Sequence, residues 1–536
     1  MPLDTQSESL DVVIVGAGFS GLYLLNRLRK EGFSVHVIEA GDDVGGTWYW
    51  NRYPGARCDI MSLDYSYSFD EDLEQEWRWP ERFSPQPDIL TYARAVAERY
   101  DLRRDITFST RVTAATFDEG SGRWTVEAEG GRRWNARHVV MATGCLSVPR
   151  MPDVPGLDSF KGDWYHTGDW PHEPVDFTGK RVGLIGTGSS GIQSITVIGR
   201  QAAELTVFQR TPNFSTPAWN TAMDPVEEAE HKAHYRELRE ITRWNAGGYL
   251  VEDNNDPCKH LPRDVIEAEL ERRWQQGGFS ILGAYGDIMT DMEVNAIVVD
   301  FVHAKIKEKV KDPATAELLC PKDHPFGSKR LCVDTGYYET YNREGVRLVD
   351  IRKAPIECIT PTGIRTAEGE YAFDAIVFAT GFDAMTGAIL NVDIRGRQGA
   401  SLRKKWAHGP RSYLGLMVAG FPNLFTVTEP QSPSVLTNMM SAIEQHVDWI
   451  TDCICNLRDR QVAHIEATKD AEDHWVDHVI ELGDATLYPQ ANSWYMGANI
   501  PGKPRVFMPY VGGFGTYRKI CDEVAAENYR GFELAS

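Results

Sequence analysis

The sequence lacks the segments that mark a membrane or secreted protein. No apolar run reaches the roughly 20 residues that a spanning helix needs, and the longest nearly uncharged stretch near the start, 12–26, is interrupted by glycine and serine. The first eleven residues carry Asp4, Glu8 and Asp11, where a secretory leader would carry positive charge. We therefore predict a protein with neither a membrane span nor a leader.

Paired cysteine motifs are also missing. The nine cysteines are odd in number, and none of them forms a C-x-x-C pair. This usage argues against a disulfide framework and against a cysteine zinc site. It predicts reduced thiols, a cytoplasmic location and no metal site.

The sequence has fewer basic than acidic residues. The chain has 56 Lys and Arg against 77 Asp and Glu, which gives a formal net charge of -21. Such a surface argues against sequence-independent binding to nucleic acid or to an anionic membrane. The hydrophobic fraction of 42% and the charged fraction of 25% are typical of a globular protein, and 536 residues fit two to four domains.

The first nucleotide-binding pattern lies near the start of the chain. A buried strand, a helix and a second strand are predicted at residues 11–15, 22–30 and 34–39. Gly16, Gly18 and Gly21 form G-x-G-x-x-G between the strand and the helix. In this pattern the first glycine permits a tight turn, the second lets a pyrophosphate approach the backbone, and the third allows close packing. Glu39 ends the second strand, where a carboxylate can accept hydrogen bonds from ribose hydroxyls.

The pattern recurs further along the chain, but without the acid. The two strands are predicted at residues 182–185 and 205–209, and the glycines are Gly186, Gly188 and Gly191. Gln209 and Arg210 stand where the carboxylate would be. A guanidinium can pair with a 2′-phosphate, which a carboxylate would repel. The first site is therefore predicted to take a dinucleotide with free ribose hydroxyls, and the second to take NADP.

Each glycine pattern is followed later by an Ala-Thr-Gly at the end of an apolar strand, at 142–144 and 379–381. These points suit a chain that leaves one nucleotide domain for the other. The predicted fold is α/β, with two Rossmann-like dinucleotide-binding domains. The predicted divisions are an FAD domain over 1–145 and 383–536, an NADP domain over 146–382, and a helical insertion in the NADP domain at about 222–325. Within the insertion, charged amphipathic stretches at 224–243, 262–276 and 300–312 predict helices.

Two longer motifs point to a family. Residues 160–171 read FKGDWYHTGDWP and match F-x-G-x-x-x-H-T-x-x-W-P, and residues 45–59 read GGTWYWNRYPGARCD and match G-G-x-W…Y-P-G-x-x-x-D. Both are motifs of the Baeyer–Villiger monooxygenases, which the chain resembles over essentially its whole length. It looks closest to the phenylacetone and steroid monooxygenase branch, through GTGSSGIQ, FQRTPNF, ATGFDAMTG and ANSWYMGANIPGKPR.

The resemblance implies an enzyme that contains FAD and depends on NADPH. In this family NADPH reduces FAD, and oxygen then forms a flavin peroxide. The peroxide attacks a ketone carbonyl and inserts one oxygen atom, giving an ester or lactone and water. This chemistry needs a fixed cation for the developing negative charge and the exclusion of bulk water. The implied partners are a small ketone and molecular oxygen, and no nucleic acid, membrane or obligate protein partner is expected.

Site residues follow from the same resemblance. Arg330 is the implied catalytic arginine and Asp59 the carboxylate that orients it, while Lys329 resembles a contact to the 2′-phosphate of NADP together with Arg210 and Thr211. The predicted FAD-binding residues are Gly16, Gly18, Ser20, Gly21, Glu39, Gly46, Thr47, Trp48, Asp59, Tyr65, Val112 and Met439. The predicted NADP-binding residues are Gly186, Thr187, Gly188, Ser189, Ser190, Gly191, Gln193, Arg210, Thr211, Lys329, Arg330 and Trp494.

Other residues of these motifs are expected to act outside the chemical step. His166 is central to the motif at 160–171, where the family uses this histidine to couple the domains rather than as a base. Trp494 resembles a residue of a mobile loop that closes over the nicotinamide. Leu436 and Met439 match a loop that lines the flavin and the substrate.

One segment departs from the family. Glu429 and Gln431 stand beside the substrate loop at positions where similar proteins have small residues, so the resemblance does not carry over a substrate preference. Two further hypotheses are an oxygenase of sulfides or amines, and a flavin reductase or redox sensor. A disulfide reductase would need the C-x-x-C pair that the sequence lacks.

Overall fold

The computed structural model describes residues 9–535 as a mixed α/β protein. Asp4 and Glu8, on which the prediction about a leader partly depends, lie outside these residues. The strands are β1 (Ser9–Val15), β2 (Val35–Ile38), β3 (Ile106–Thr107), β4 (Val112–Asp118), β5 (Arg123–Ala128), β6 (Arg133–Met141), β7 (Asp163–His166), β8 (Arg181–Ile185), β9 (Glu204–Gln209), β10 (Ser215–Pro217), β11 (Cys332–Asp334), β12 (Val346–Asp350), β13 (Ile356–Thr360), β14 (Gly363–Thr366), β15 (Gly369–Ala372), β16 (Ala375–Phe378), β17 (Asp393–Arg395), β18 (Leu424–Thr426), β19 (His464–Ala467) and β20 (Phe532–Ala535).

Helices cover the faces of the sheets and make up most of the region between β10 and β11. They are α1 (Phe19–Lys30), α2 (Thr47–Trp50), α3 (Glu71–Glu76), α4 (Gln86–Arg99), α5 (Ser189–Gln201), α6 (Pro225–Ala233), α7 (Tyr235–Trp244), α8 (Arg263–Gln276), α9 (Met292–Lys309), α10 (Pro313–Leu319), α11 (Tyr337–Thr340), α12 (Gly387–Leu390), α13 (Leu402–Lys405), α14 (Met439–Asp459), α15 (Lys469–Asp484) and α16 (Phe514–Ala526).

The largest sheet is built around β1, a short run of buried β-branched residues. Its strand order is β17-β4-β5-β6-β1-β2-β3, and β18 also pairs with β6. The carboxyl ends of the central parallel strands are level, because Met141 lies opposite both Val15 and Thr426. The segments that follow β1, β6 and β18 therefore meet at one edge, which is where α/β folds bind ligands.

A second sheet has the order β12-β9-β8-β16-β7, with all strands parallel. Ile185 at the end of β8 lies opposite Phe208 and Phe378, and His166 at the end of β7 also lies opposite Phe378. The ends of these strands form a second ligand-binding edge. The predicted α/β class with two Rossmann-like units is thus confirmed.

The predicted strands and helices of the two glycine patterns differ from the structure only at their ends. The first helix begins at Phe19 rather than at residue 22, because Gly18 is its N-cap and Gly21 lies within its first turn. The second strand is Val35–Ile38, which is shorter than the predicted 34–39.

The helical insertion needs two corrections. The predicted helix 224–243 is two helices, α6 and α7, because the backbone of His234 leaves helical geometry between them. The predicted helix 300–312 is the C-terminal half of α9. That helix starts at Met292, where the Asp291 carboxylate caps it by accepting hydrogen bonds from the N–H groups of Glu293 and Val294.

Two further properties concern the whole described chain. Among residues 9–535, no helix is both long enough and apolar enough to cross a membrane. All nine cysteines are free, and seven of them are buried.

Candidate active site

The first glycine cradle joins the end of β1 to α1. Gly16 has φ +108°, a region that favours glycine, and a Cβ there would meet the carbonyl oxygen of Ala142 at 2.5 Å. A Cβ on Gly21 would collide with the carbonyl of Gly16. Gly18 faces the backbone of Gly46, which belongs to the longer motif at 45–59. The cradle is therefore a close packing of backbone on backbone, which only glycine permits.

The second cradle repeats this geometry at the end of β8. Gly186 has φ +112° and lies against the carbonyl of Ala379, and Gly191 lies against the carbonyl of Gly186. A Cβ on Gly188 would meet no atom of the described residues within 4 Å. Gly188 caps α5 without any side-chain hydrogen bond to the helix N-terminus. Backbone N–H groups at such a terminus are suited to bind phosphate, so the residues fit a dinucleotide.

Glu39 lies beside the first cradle and is 5% exposed. Its carboxylate accepts hydrogen bonds from the N–H groups of Ala17 at 2.6 Å and Gly41 at 2.7 Å. Burial raises the pKa of Glu39, and these hydrogen bonds oppose that shift. The backbone thus fixes the acid at the end of β2, where the second lone pairs of its oxygens can face ribose hydroxyls.

Two cations lie close together at the second cradle. Burial lowers the pKa of Lys329, the charge of Asp323 opposes this shift, and Arg210 and Arg352 lower the pKa further by charge repulsion. Within residues 9–535 neither Lys329 nor Arg210 has a carboxylate within ion-pair distance. Two neighbouring cations without such a partner fit a bound dianion such as a 2′-phosphate.

Arg330 lies between the two cradles, and its guanidinium is held on three sides. Nη2 donates to Asp59 Oδ2 at 3.2 Å, and Nη1 donates to the carbonyl of Val435 at 3.0 Å. The ring of Phe279 stacks on the guanidinium, with 4.9 Å from Cζ to the ring centroid. The side chain of Arg330 is 28% exposed and that of Asp59 only 12%.

Arg330 and Asp59 each shift the pKa of the other. Burial alone would lower the pKa of Arg330, but the charge of Asp59 and the nearby Tyr495 raise it. Burial raises the pKa of Asp59, and the arginine opposes that rise. Arginine stays protonated in proteins, so the site holds a permanent, oriented cation.

The backbone of Arg330 is fixed by the segment after the second cradle. Asn213 Nδ2 donates to the carbonyl of Arg330 at 3.1 Å, and Phe214 accepts a hydrogen bond from the N–H of Cys332. β10 and β11 then pair in parallel. The FQRTPNF segment therefore ties the arginine to the sheet that carries Arg210.

The loop of the longer motif also contacts α5. Gln193 Oε1 accepts hydrogen bonds from the hydroxyl of Tyr53 at 2.8 Å and the N–H of Arg57 at 3.3 Å, and its Nε2 donates to the carbonyl of Arg57 at 3.0 Å. Gly55 packs against the carbonyl of Gln193. Gln193, a predicted NADP contact, thus uses its side chain to join this loop to α5.

His166 is buried in a network of hydrogen bonds. Its Nδ1 accepts from the N–H of Gly168 at 3.0 Å, so Nε2 is the donor toward the Arg150 carbonyl and Thr380 Oγ1, both at 3.2 Å. Burial lowers its pKa. A neutral histidine held in this way joins β7 to the second Ala-Thr-Gly, and the residue beside it, Thr167, contacts Ser190 of the cradle at 3.1 Å.

The remaining predicted site residues fall into two groups. Trp48 Nε1 donates to the Tyr65 hydroxyl at 3.1 Å close to the first cradle, and Thr47 begins α2 there. Residues beside the first sheet and its helices are Ser20 in the first turn of α1, Val112 at the start of β4 and Met439 at the start of α14. Those of the second cradle are Thr187, which donates to the Thr211 carbonyl, and Ser189, which contacts Cys332.

Trp494 contacts Tyr495, which in turn contacts Arg330. Its ring centroid lies 4.3 Å from that of Tyr495, which is buried beside Arg330. Both aromatic residues belong to an apolar cluster that also contains Cys145, Val435 and Leu436. This cluster covers the cation on one side and keeps its surroundings apolar.

Sequence reasoning missed several residues around the arginine. Phe279 and Tyr495 contact the guanidinium, and Val435 contributes only a backbone carbonyl. Phe279 comes from the helical insertion, where no local pattern marks it. Tyr495 follows Trp494 directly, so the ANSWYMG segment carried a signal that could have found it.

Comparisons with known proteins point to one family. The family model described as flavin-binding monooxygenase-like matches residues 9–217. A Baeyer–Villiger monooxygenase from Pseudooceanicola batsensis is 42% identical, over 98% of this chain and 96% of that protein. The solved structure of oxidized steroid monooxygenase bound to NADP is 51% identical, covers 98% of this chain and 100% of its own, and gives a TM-score of 0.95.

The chain belongs to the Baeyer–Villiger monooxygenase family. A second solved structure, OTEMO in complex with FAD and NADP, is 42% identical over 98% of this chain and 99% of its own, with a TM-score of 0.95. The family predicted from the two motifs is thus confirmed for the full length of the chain. In this chain Arg330 is tied to both cradles: Asp59 belongs to the motif whose Gly46 packs on Gly18, and Cys332, two residues after Arg330, contacts Ser189.

Proposed function

We propose that this protein is an FAD-containing, NADPH-dependent Baeyer–Villiger monooxygenase that converts a ketone to an ester or lactone. The observation that carries the proposal is the Arg330 guanidinium, fixed by Asp59, Val435 and Phe279 between two glycine cradles. Bound FAD would supply the redox chemistry, namely the capacity to take two electrons from NADPH and to activate molecular oxygen, one atom of which enters the ketone.

Arg330 stabilises negative charge in the reaction. Its contacts to Asp59 and Val435 do not use all five N–H groups of the fork, so others can donate to an oxygen that becomes negative. Because the guanidinium is already oriented, little reorganisation is needed when charge develops. Asp59 is a positioning residue, since it acts through the arginine.

Water exclusion is the second requirement. Val435, Tyr495 and Trp494 belong to the apolar cluster on one side of the arginine, and Phe279 covers another side. An apolar surrounding strengthens the field of the cation and protects a reactive oxidant from bulk water.

The two cofactors are proposed to occupy different cradles. FAD is held at Gly16, Gly18 and Gly21 with Glu39 on its ribose, and NADP at Gly186, Gly188 and Gly191 with Arg210, Thr211 and Lys329 on its 2′-phosphate. This supports the division into an FAD domain over 1–145 and 383–536 and an NADP domain over 146–382. The free cysteines support a proposed cytoplasmic location, and no obligate protein partner is proposed.

Replacement of Arg330 tests the proposed function. In Arg330→Ala, ester formation should fall by at least about 100-fold, because a preorganised donor to the developing charge is lost. Reduction of the flavin by NADPH should stay measurable. Ester formation by Arg330→Lys should lie between that of the wild type and that of Arg330→Ala, since lysine keeps the charge but lacks the planar fork of N–H groups.

Stopped-flow reduction of the flavin and chromatography of the ester measure the two steps separately. Arg78→Ala is the control, because that arginine is exposed and pairs with Glu228 away from the site. Unchanged ester formation in Arg330→Ala would remove the arginine from the mechanism.

A further inference from the structure

Glu429 is a buried carboxyl with almost no polar partner. It is 1% exposed, and its Oε1 accepts a hydrogen bond from Thr143 Oγ1 at 3.2 Å. Its Oε2 is buried and has no hydrogen-bond partner among residues 9–535. A carboxyl group in such a position is costly unless something satisfies it.

The place of Glu429 in the fold points toward the first cofactor site. It follows β18, at the edge where β1, β6 and β18 all end. Thr143, its one partner, adjoins the cradle, because the Cα of Thr143 lies 3.7 Å from where a Cβ on Gly16 would be.

Cys145 lies near Glu429, because the two groups interact electrostatically, and it also interacts with Arg330. The hydrogen bond to Thr143 and the burial of Glu429 place its carboxyl beside the cradle that is proposed to hold FAD.

The neighbouring groups leave the carboxyl without a counter-charge. Cys145 on the segment after β6 is a thiol whose pKa is raised to about 12 by burial, so it is neutral. His446 on α14 accepts a hydrogen bond from the N–H of Thr428, and burial lowers its pKa to about 3, so it is also neutral. Among residues 9–535 no cation lies within ion-pair distance of Glu429. Burial raises the pKa of Glu429 to about 8.

Gln431, the other departure from the family, is satisfied by the protein itself. Its Oε1 accepts hydrogen bonds from the N–H of Ser412 at 2.6 Å and the Ser412 hydroxyl at 2.8 Å. The side-chain oxygen of Gln431 therefore has its partners within the protein, in contrast to Oε2 of Glu429.

We propose that Glu429, held as the neutral acid, donates a hydrogen bond from its carboxyl to an oxygen of FAD bound at the first cradle. A neutral acid can donate to a phosphate, ribityl or ring oxygen, whereas its anion could only repel phosphate. Because only the protonated form binds in this way, FAD binding is linked to one proton. The inference rests on the proposed assignment of FAD to the first cradle.

The equilibrium between bound and free FAD tests this inference without turnover. Holoenzyme is diluted to a series of concentrations, and the fluorescence of the released flavin gives the dissociation constant of FAD from pH 6 to 9. The wild-type dissociation constant should rise as the pH passes about 8 and approach tenfold per pH unit above that value. In Glu429→Gln the dissociation constant should lack this rise, because an amide still donates but cannot ionise.

Glu444→Gln is a matched control. Glu444 is another carboxyl whose pKa burial raises, to about 7, but its oxygens accept from the N–H and hydroxyl of Ser68 rather than from Thr143. This variant should keep the wild-type dependence on pH. Equal slopes in the wild type and in Glu429→Gln would overturn the proposal.

A second measurement decides the matter if Glu429→Gln does not fold. At pH 9 in weak buffer, release of FAD from the wild type should free up to one proton, because the carboxyl ionises once its acceptor is gone. At pH 6 it should free none from this group. No proton released at pH 9 would contradict the proposal, whereas absence of ester formation would contradict the proposed function instead.

Discussion

At the scale of single residues, the decisive groups are cations placed where an anion is expected. Lys329 and Arg210 lie together at the second cradle, and Arg330 lies between the cradles with Asp59 as its ion-pair partner. Repulsion between the first two is unfavourable in the free protein and is relieved when a dianion binds. This arrangement favours NADP over a dinucleotide that lacks the 2′-phosphate.

Removal of the Arg210 side chain should therefore weaken the binding of NADP but not that of NAD. In Arg210→Ala the Kd for NADP should rise about 10- to 100-fold, the range expected for a lost hydrogen bond to a charged group. The Kd for NAD should change little. Isothermal titration with both nucleotides measures the ratio.

Arg181→Ala provides the control for this change. Arg181 is a cation at the amino end of β8, on the same sheet but at the opposite edge, and it pairs with Asp374. Its loss should leave both affinities unchanged. An equal loss of NADP and NAD affinity in Arg210→Ala would show that Arg210 does not read the 2′-phosphate.

At the scale of elements, the contact between the 45–59 motif and α5 fixes the position of this motif relative to the second cradle. Gly55 has φ +83° and packs on the carbonyl of Gln193, so a side chain here would push the loop away from α5. The same loop carries Asp59, two residues after Arg57, whose backbone bonds to Gln193. Displacement of the loop would therefore also displace the partner of Arg330.

Gly55→Ala should destabilise the protein more than a matched change elsewhere. The collision with Gln193 should cost about 1 to 3 kcal/mol, the usual range for overpacking, beyond the strain of a left-handed backbone. Gly179→Ala is the match, since Gly179 has φ +74° but a Cβ there would meet no atom within 4 Å. The free energies of unfolding in urea of the two variants measure the difference, and equal values would contradict tight packing at Gly55.

Much of the architecture was predictable at this scale because the signals are local. A strand of β-branched residues, glycines at fixed spacing and a following helix are set by neighbours in sequence, and these predictions were right to within a few residues for α1 and β8. The helical insertion was predicted less well. Its charged faces fit a helix at many positions, and the break at His234 and the cap at Asp291 decide the boundaries.

The candidate site was predictable only where a motif carried it. Arg330 and Asp59 came from resemblance, and the structure brings them to 3.2 Å. Phe279, the Val435 carbonyl and the open side of Glu429 depend on contacts between segments far apart in sequence. No local pattern encodes such contacts, and a backbone carbonyl leaves no trace in residue identity.

At the scale of the whole molecule, a chain with a net charge of -21 encloses sites for two anionic cofactors. The acidity is spread over the surface, where ion pairs are exposed and screened. Of the cations proposed to face anions, Arg210 follows the carboxyl end of β9, and Lys329 and Arg330 come just before β11. Partly buried hydrogen bonds of His166 and Gln193 connect elements around the two cradles.

The central claim is that this protein inserts an atom of molecular oxygen beside a ketone carbonyl. The most direct test is mass spectrometry of the products from aryl, cyclic and long-chain ketones, with NADPH and ¹⁸O₂. We expect an ester or lactone that carries one ¹⁸O atom, with one NADPH consumed for each product molecule. Formation of hydrogen peroxide alone from every ketone, or oxidation of sulfides and amines only, would contradict the account.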